Sequence, residues 1–462
     1  MGRYSFLYTK KFKYDNLIIY IVMEKYDVVI VGGGISGTAL IYILSNYTDI
    51  RNIALFEKYS KIAQVNSKSS NNSQTLHFGD IETNYTLEKV IKVKKYADMV
   101  KNYLEKYDTE KSAYSKYHKM VIAVGDQEVK ELEERYEKFK KLFPNLKKIN
   151  REEIEKIEPN VIKGRDENEK IIALYSEDGY TMDFQKLSEL FLNKINKKNK
   201  KLDIFLDSKV KKIEKTNSNF KIYSGEKILE SKVVIVAAGA HSLLFAKSLG
   251  YGLDYALLTV AGSFYIAPKS LNGKVYTTQI KKLPFAAIHG DPEIHDRNIT
   301  RYGPTAKVLF MLERHNYNTV FEYFKTAGLN YKTFLAIGKI LFDWTVFKYL
   351  FKNFFYDVPF IGKILFIKEI KKIIPNIKLK DIKYAKGYGG IRPQIVDVKN
   401  KKLNLGESKI IGDNIIFNIT PSPGASTCLG NAKEDSERII KFLGNKYKFN
   451  KNEFLKDLNI KD

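Results

Sequence analysis

Residues 26–37 read YDVVIVGGGISG, an apolar run that breaks into glycines, and TALIYILSNY follows at helical spacing. The run VVIV suits a buried parallel strand, and Gly32, Gly34 and Gly37 stand at G-x-G-x-x-G spacing where strand gives way to helix. The first glycine permits the tight turn and the second lets backbone approach a pyrophosphate. The third allows the helix to pack closely on the strand, and the helix N-terminus favours phosphate charge. A second strand, NIALFEK, ends on Glu57, about 20 residues beyond the last glycine, where a carboxylate can hold ribose hydroxyls. Together these parts predict an α/β, dinucleotide-binding domain.

Two later stretches choose between flavin and nicotinamide. Residues 233–242, VVIVAAGAHS, form another apolar strand that ends in small residues around Gly239. It follows LDIFLDSKVKKIEK, which reads as a strand pair with Val210 pointing inward. The stretch NIIFNITPSPGASTCLGNA, residues 414–432, reads as a strand, a turn at Pro423 and Gly424, and a helix start at Ala425 and Ser426. Such a start aims backbone N–H groups at an anionic ring edge, and a reduced flavin is negative there. No second glycine motif follows a strand, so a separate nicotinamide site is not expected. FAD is the expected cofactor.

With 462 residues the chain can build two domains, each with its own core. The lone Cys428 excludes an internal disulfide framework and a Cys-rich metal site, and no metal is expected. The formal net charge is +25, with lysines spread along the whole chain and no nucleic-acid module beside them. Nucleic acid is therefore not an expected partner, whereas attraction to an anionic membrane surface follows from the charge. Residues 1–22 are basic and aromatic, with an apolar run too short to span a bilayer. Met23 opens MEKYDVVIVGGG and reads as the natural start, which leaves 1–22 as an upstream extension.

Five stretches together are more specific than the glycine motif: NSQTLHFGDIETNYT, KLPFAAIHGDP (282–292), TRYGPTA (300–306), YAKGYGGIRPQIVD (384–397) and TPSPGASTCLGNA (420–432). On these the chain, from about Met23 to its C-terminus, resembles the FAD-dependent malate:quinone oxidoreductases. The L-2-hydroxyglutarate dehydrogenases are the nearest rival, being similar in carrying a histidine in each of two matching stretches. The resemblance implies a glutathione-reductase-like Rossmann FAD domain with a mixed-sheet substrate domain. It implies oxidation of (S)-malate to oxaloacetate with electrons passed to a membrane quinone, a step of the tricarboxylic acid cycle. It also implies a cytoplasmic protein held peripherally on the inner face of the cell membrane.

Oxidising a 2-hydroxy acid requires a hydride acceptor, a base for the hydroxyl proton, and cations for the carboxylates. Arginine suits the last task because its fork binds carboxylate bidentately. Arg301 in TRYGP and Arg392 in GIRPQ, beside Gly390, are the expected anchors. His289, which a strand would deliver to the site, is the expected base, with His77 second. His118, His241, His295 and His315 read as surface or packing residues. In NNSQTLHFGDIETNY, residues 71–85, Asn72, Ser73, Gln74 and Thr75 are expected to satisfy flavin ring atoms, and Gly79 to permit close approach. Asp80 and Glu82 would repel a dicarboxylate, so each is expected to pair with Arg or Lys and point away.

The chain is expected to alternate between domains. Residues 1–22 form the extension and 23–110 the first part of the FAD domain. Residues 111–180 begin the substrate domain, 181–255 return to the FAD domain, and 256–380 complete the substrate domain. Residues 381–462 close on the flavin and end in a helix. The aromatic, lysine-rich stretch 331–375 is expected to pack mainly into the core, with one edge touching lipid. Two other readings are another 2-hydroxy-acid dehydrogenase, such as one for L-2-hydroxyglutarate, and a non-catalytic flavin-binding partner protein.

Overall fold

The computed structural model describes residues 9–14, 17–279, 288–327, 331–404, 408–419 and 423–461. Apolar alternation and glycine punctuation resolve into three main sheets. The first carries the glycine motif, in the strand order 408–412, 415–419, 227–236, 24–31, 52–56, 201–205. Its central strands are parallel, with Val28, Val29, Ile30 and Val31 flanked by Val233–Val236 on one side and Ile53–Phe56 on the other. Helix Ile35–Tyr47 packs on this sheet and is buried nearly all round, which explains its lack of a polar stripe. An antiparallel meander, Lys212–Lys215 and Phe220–Ser224, joins the start of strand Lys227–Val236. The strands on either side of Val210 therefore pair with different partners and not with each other.

The second sheet also has eight strands, in the order 383–384, 265–268, 299–303, 289–292, 274–277, 114–124, 171–182, 147–149. It is mixed: Lys274–Thr277 runs parallel to Tyr114–Val124, and the other pairs are antiparallel. Thr75 bridges to Thr181, and the Met182 amide donates to the Gln74 carbonyl at 3.0 Å. The polar loop is thereby tied to the end of a strand of this sheet.

The third sheet is antiparallel and four-stranded, in the order 307–308, 255–261, 391–397, 402–404. The segment 381–462 contributes to all three sheets before it ends in helices Cys428–Phe442 and Lys451–Asp457. Residues Thr9–Tyr14 and Leu17–Val22, in the N-terminal extension, pair as an antiparallel hairpin.

The stretch 331–375 packs into two of the cores and leaves one set of aromatic residues in solvent. It forms helices Tyr331–Leu341, Trp344–Phe355 and Ile361–Ile370. One side packs Ala336, Ile340, Val346 and Leu350 against the third sheet. The other side leaves Phe342, Trp344, Phe351 and Phe354 in solvent. The third helix and the residues around it enter the core of the second sheet instead, through Tyr356, Phe366, Ile367, Ile370, Ile373 and Ile374. Among the described residues no helix is long and apolar enough to cross a membrane.

Candidate active site

Strand Glu24–Val31 ends at Gly32, where φ is +115° and a Cβ would lie 2.4 Å from the Ala237 carbonyl oxygen. A Cβ on Gly37 would lie 1.9 Å from the Gly32 oxygen, so the helix sits directly on the turn. No acidic residue occupies the first turn of that helix, and Ser67 Oγ accepts from the Ile35 amide at 3.1 Å. The Glu57 carboxylate accepts from the Gly33 amide at 2.8 Å and from the Tyr59 amide at 3.0 Å. Turn, helix start and Glu57 line a cavity of 590 Å³.

The same cavity is lined by Gly34, Asn72, Ser73, Thr75, His77, Val210, Gly239, Gly390, Arg392, Pro423, Gly424, Ala425 and Ser426. Gly37 is not at the wall; it acts through packing. Gln74 is turned away from it. The Gln74 Nε2 donates to Glu293 Oε1 at 2.7 Å, its Oε1 accepts from the Ile294 amide at 3.1 Å, and its amide donates to Asn72 Oδ1 at 2.8 Å. A backbone φ of +49° at this fully buried residue swings the side chain toward the second sheet, so it has no group left for a ring. Asn72 is also largely committed, its Nδ2 donating to the carbonyls of Asn66 and Lys68.

His77 lies on the cavity wall. Its amide donates to Ser426 Oγ at 2.9 Å, which joins the polar loop to the C-terminal helix start. Its Nδ1 meets Glu82 Oε1 at 2.6 Å, and Glu82 Oε2 accepts from the Gly79 amide at 2.7 Å. Glu82 therefore pairs with histidine rather than with the expected Arg or Lys. Burial pushes its carboxyl up, but the His77 hydrogen bond and charge prevail and bring it to about 2. Asp80 does pair with a lysine, Lys119 Nζ, at 2.8 Å, and burial raises its pKa against that pull. The Arg135 guanidinium fixes the same loop by donating to the Gly79 carbonyl at 2.9 Å and the Tyr85 carbonyl at 3.2 Å.

His289 stands at the start of strand His289–Pro292 and is buried outside the cavity lining. The apolar run that precedes it lies outside the described residues. Its Nδ1 contacts Asp291 Oδ2, and its ring stacks on Tyr276 at 4.6 Å. Asp291 also meets Lys274 Nζ at 2.8 Å and accepts from Tyr276 OH at 3.3 Å; that hydroxyl bonds Thr75 Oγ1 at 2.9 Å. Burial lowers the His289 pKa despite the opposing pull of Asp291, so the ring is neutral near pH 7. Asp291 is held far below the usual carboxylate range: burial alone would raise it, but His289 and Lys274 outweigh that.

The two arginines have different surroundings. Arg301 is fully buried; its Nη2 donates to the Asn72 carbonyl at 3.1 Å and its guanidinium lies 4.4 Å from the Phe264 ring centroid. Its Nε has no partner among the described residues, and the side chain is not on the cavity wall. Arg392 lines the cavity and has no hydrogen bond or ion pair among the described residues. His241, expected to be a surface or packing residue, also lines the cavity, where its Nε2 meets Glu322 Oε2 at 2.9 Å.

These residues fit FAD. The glycine turn leaves space only backbone can occupy, Glu57 offers an acceptor edge, and the C-terminal turn brings uncharged groups to the far end. Asn418, also on the wall, has a buried Oδ1 with no partner among the described residues, as expected where a ligand donor is to be met.

The family model for malate:quinone oxidoreductase (Mqo) matches residues 24–434. The chain belongs to this family. It is 44% identical to the probable malate:quinone oxidoreductase of Campylobacter jejuni, over 94% of this chain and 99% of that one. It is 43% identical to the malate:quinone oxidoreductase of Helicobacter pylori strain 26695, over 94% and 98%. Identity to the mitochondrial L-2-hydroxyglutarate dehydrogenase of Caenorhabditis elegans is 24%, over 91% and 94%. Among solved structures, the chain is similar to reduced L-α-glycerophosphate oxidase from Mycoplasma pneumoniae with FAD bound, with TM-score 0.64 and 18% identity over 92% and 97%. Glycine oxidase from Geobacillus kaustophilus gives TM-score 0.62 and 14% identity over 91% and 95%. These likenesses show the two-domain flavoprotein fold.

Proposed function

We propose that this malate:quinone oxidoreductase family member oxidises (S)-malate to oxaloacetate with FAD and passes the electrons to a membrane quinone, as a step of the tricarboxylic acid cycle. The observation that carries the reading is that an acid-held histidine, His77, and an unpaired guanidinium, Arg392, line one cavity shaped for a dinucleotide. Bound FAD supplies the two-electron acceptor for the hydrogen on C2.

The chain's own residues supply the rest. Glu82 fixes the His77 ring through Nδ1, and in the neutral ring that carries its proton there, Nε2 takes the proton of the malate hydroxyl as the C2–O double bond forms. Arg392 holds a malate carboxylate, and with no counter-ion among the described residues its charge is available to substrate. Arg301 holds the loop through the Asn72 carbonyl from outside the cavity wall, so it positions the site rather than meeting substrate. His289 acts from behind, through the Asp291–Tyr276–Thr75 chain that ends on the cavity wall. The net charge of +25 favours peripheral attachment to an anionic membrane, where a quinone is met.

Anaerobic bleaching of the flavin absorbance against a panel of 2-hydroxy acids tests this reading. Malate should bleach it far faster than L-2-hydroxyglutarate. Preference for the latter would move the chain to the neighbouring activity, and no bleaching by any acid would remove catalysis altogether.

A further inference from the structure

The middle helix, Trp344–Phe355, with Phe342 just before it, carries a continuous aromatic ladder. Phe342 and Phe347 stack at 6.4 Å, Trp344 and Phe347 at 6.1 Å, Phe347 and Phe351 at 5.7 Å, and Phe351 meets Phe355 at 5.0 Å. Phe342 is 79% exposed, Trp344 66% and Phe360 89%. Side chains of this kind, aligned and open to solvent, mark a surface that is covered in use.

Charge decides what covers it. Residues 331–372 contain eight lysines and three acids. Two of the acids are turned inward: Asp357 pairs with Lys307, and Glu369 with Lys352 and Lys372. The third, Asp343, caps the middle helix by accepting from the Val346 amide at 3.2 Å. The rim is therefore cationic, and two copies face to face would set lysine against lysine. Lys348 Nζ sits 4.7 Å from the Trp344 ring centroid, so lysines rise beside the aromatic groups as at a headgroup boundary. The inner side of the same helix brings the Tyr349 hydroxyl into the electrostatic field of Arg392, on the wall of the flavin cavity.

We propose that helices Tyr331–Leu341, Trp344–Phe355 and Ile361–Ile370 form a platform that inserts its aromatic ladder into an anionic lipid surface. Arg392, on the cavity wall, lies behind that platform. This rests on the quinone reading above and adds to it the face that meets the bilayer. Insertion is shallow, with the rings among the acyl chains nearest the headgroups and the lysines in the phosphate layer.

Trp344 is the only tryptophan in the chain, so tryptophan emission, excited to the red of the tyrosine band, reports on the platform alone. With FAD-loaded protein and vesicles of phosphatidylcholine and phosphatidylglycerol at low salt, Trp344 emission should move to shorter wavelength. Lipids brominated on the acyl chain should quench it. Phe342→Asp combined with Phe351→Asp should weaken vesicle binding at least about tenfold for each ring removed. It should slow malate-dependent reduction of a vesicle-borne long-chain quinone to match, and leave reduction of a water-soluble dye unchanged. Protein that pellets with vesicles while Trp344 emission stays fixed would overturn the platform, because another face is then in contact. So would absence of binding, or an emission shift on concentration alone with a doubled mass, which would assign the ladder to a second copy. Failure of the activity reading is separate, since it appears as no dye reduction by malate in the unaltered protein.

Discussion

His77 and His289 are each held at Nδ1 by a carboxylate, yet the two pairs lie in different surroundings. His77 and Glu82 sit in the polar loop on the cavity wall, with two amides, those of His77 and Gly79, fixing the loop around them. His289 and Asp291 sit on neighbouring positions of one face of a strand, sealed with Lys274 and Tyr276. A base must reach the substrate, whereas a fully buried ion pair such as Lys274–Asp291 must first be compensated. The same side-chain pair can thus serve chemistry in one place and hold the site together in another, and the surroundings decide which.

The largest expected effect separates the two roles. His77→Asn should slow flavin reduction at saturating malate by roughly 10²–10⁴-fold with FAD retained, the range for loss of a general base. His289→Asn should slow it less than about tenfold on the same scale. Anaerobic stopped flow measures both, and a reversed order would exchange the roles. Next is Lys274→Met, which strands Asp291 in the dry side of the network. It should lower stability by about 3–5 kcal/mol in urea unfolding, the cost of breaking a buried ion pair. Glu82→Gln, at the more accessible pair, should cost less, about 1–3 kcal/mol. Arg392→Lys should raise KM for malate about tenfold, one lost bidentate contact, with FAD binding intact.

How far the chain could be read ahead of its fold differs between these regions for a physical reason. Gly32, Gly37 and Glu57 act within one strand–helix–strand unit, so local spacing sufficed to find them. Asp291 was also within reach, two residues beyond His289 and so on the same face of a strand. Lys274 and Tyr276 were not: only the register of their strand, which sets Tyr276 opposite His289 and Lys274 opposite Lys119, brings them in. Gln74 escaped for another reason, since its positive φ reverses a direction that composition cannot show. On the helices 331–370 the pattern revealed apolar faces, but not which of them the second and third sheets cover and which stay open.

The smallest expected effect is a slope in stability with pH. Burial lowers the His289 pKa below its ordinary 6.5 in the folded chain, so the unfolded chain binds that proton first as pH falls. The group therefore contributes no penalty above about pH 6.5 and an increasing one below it, down through the folded pKa. Asp291 does not titrate in this window, being held below its ordinary 3.8. Urea midpoints measured between pH 7 and pH 5 should fall for the unaltered protein and fall less for His289→Gln, which has no proton to gain there. Equal slopes in the two proteins would mean that His289 is not sealed, and the distinction drawn between the two pairs would fall with it.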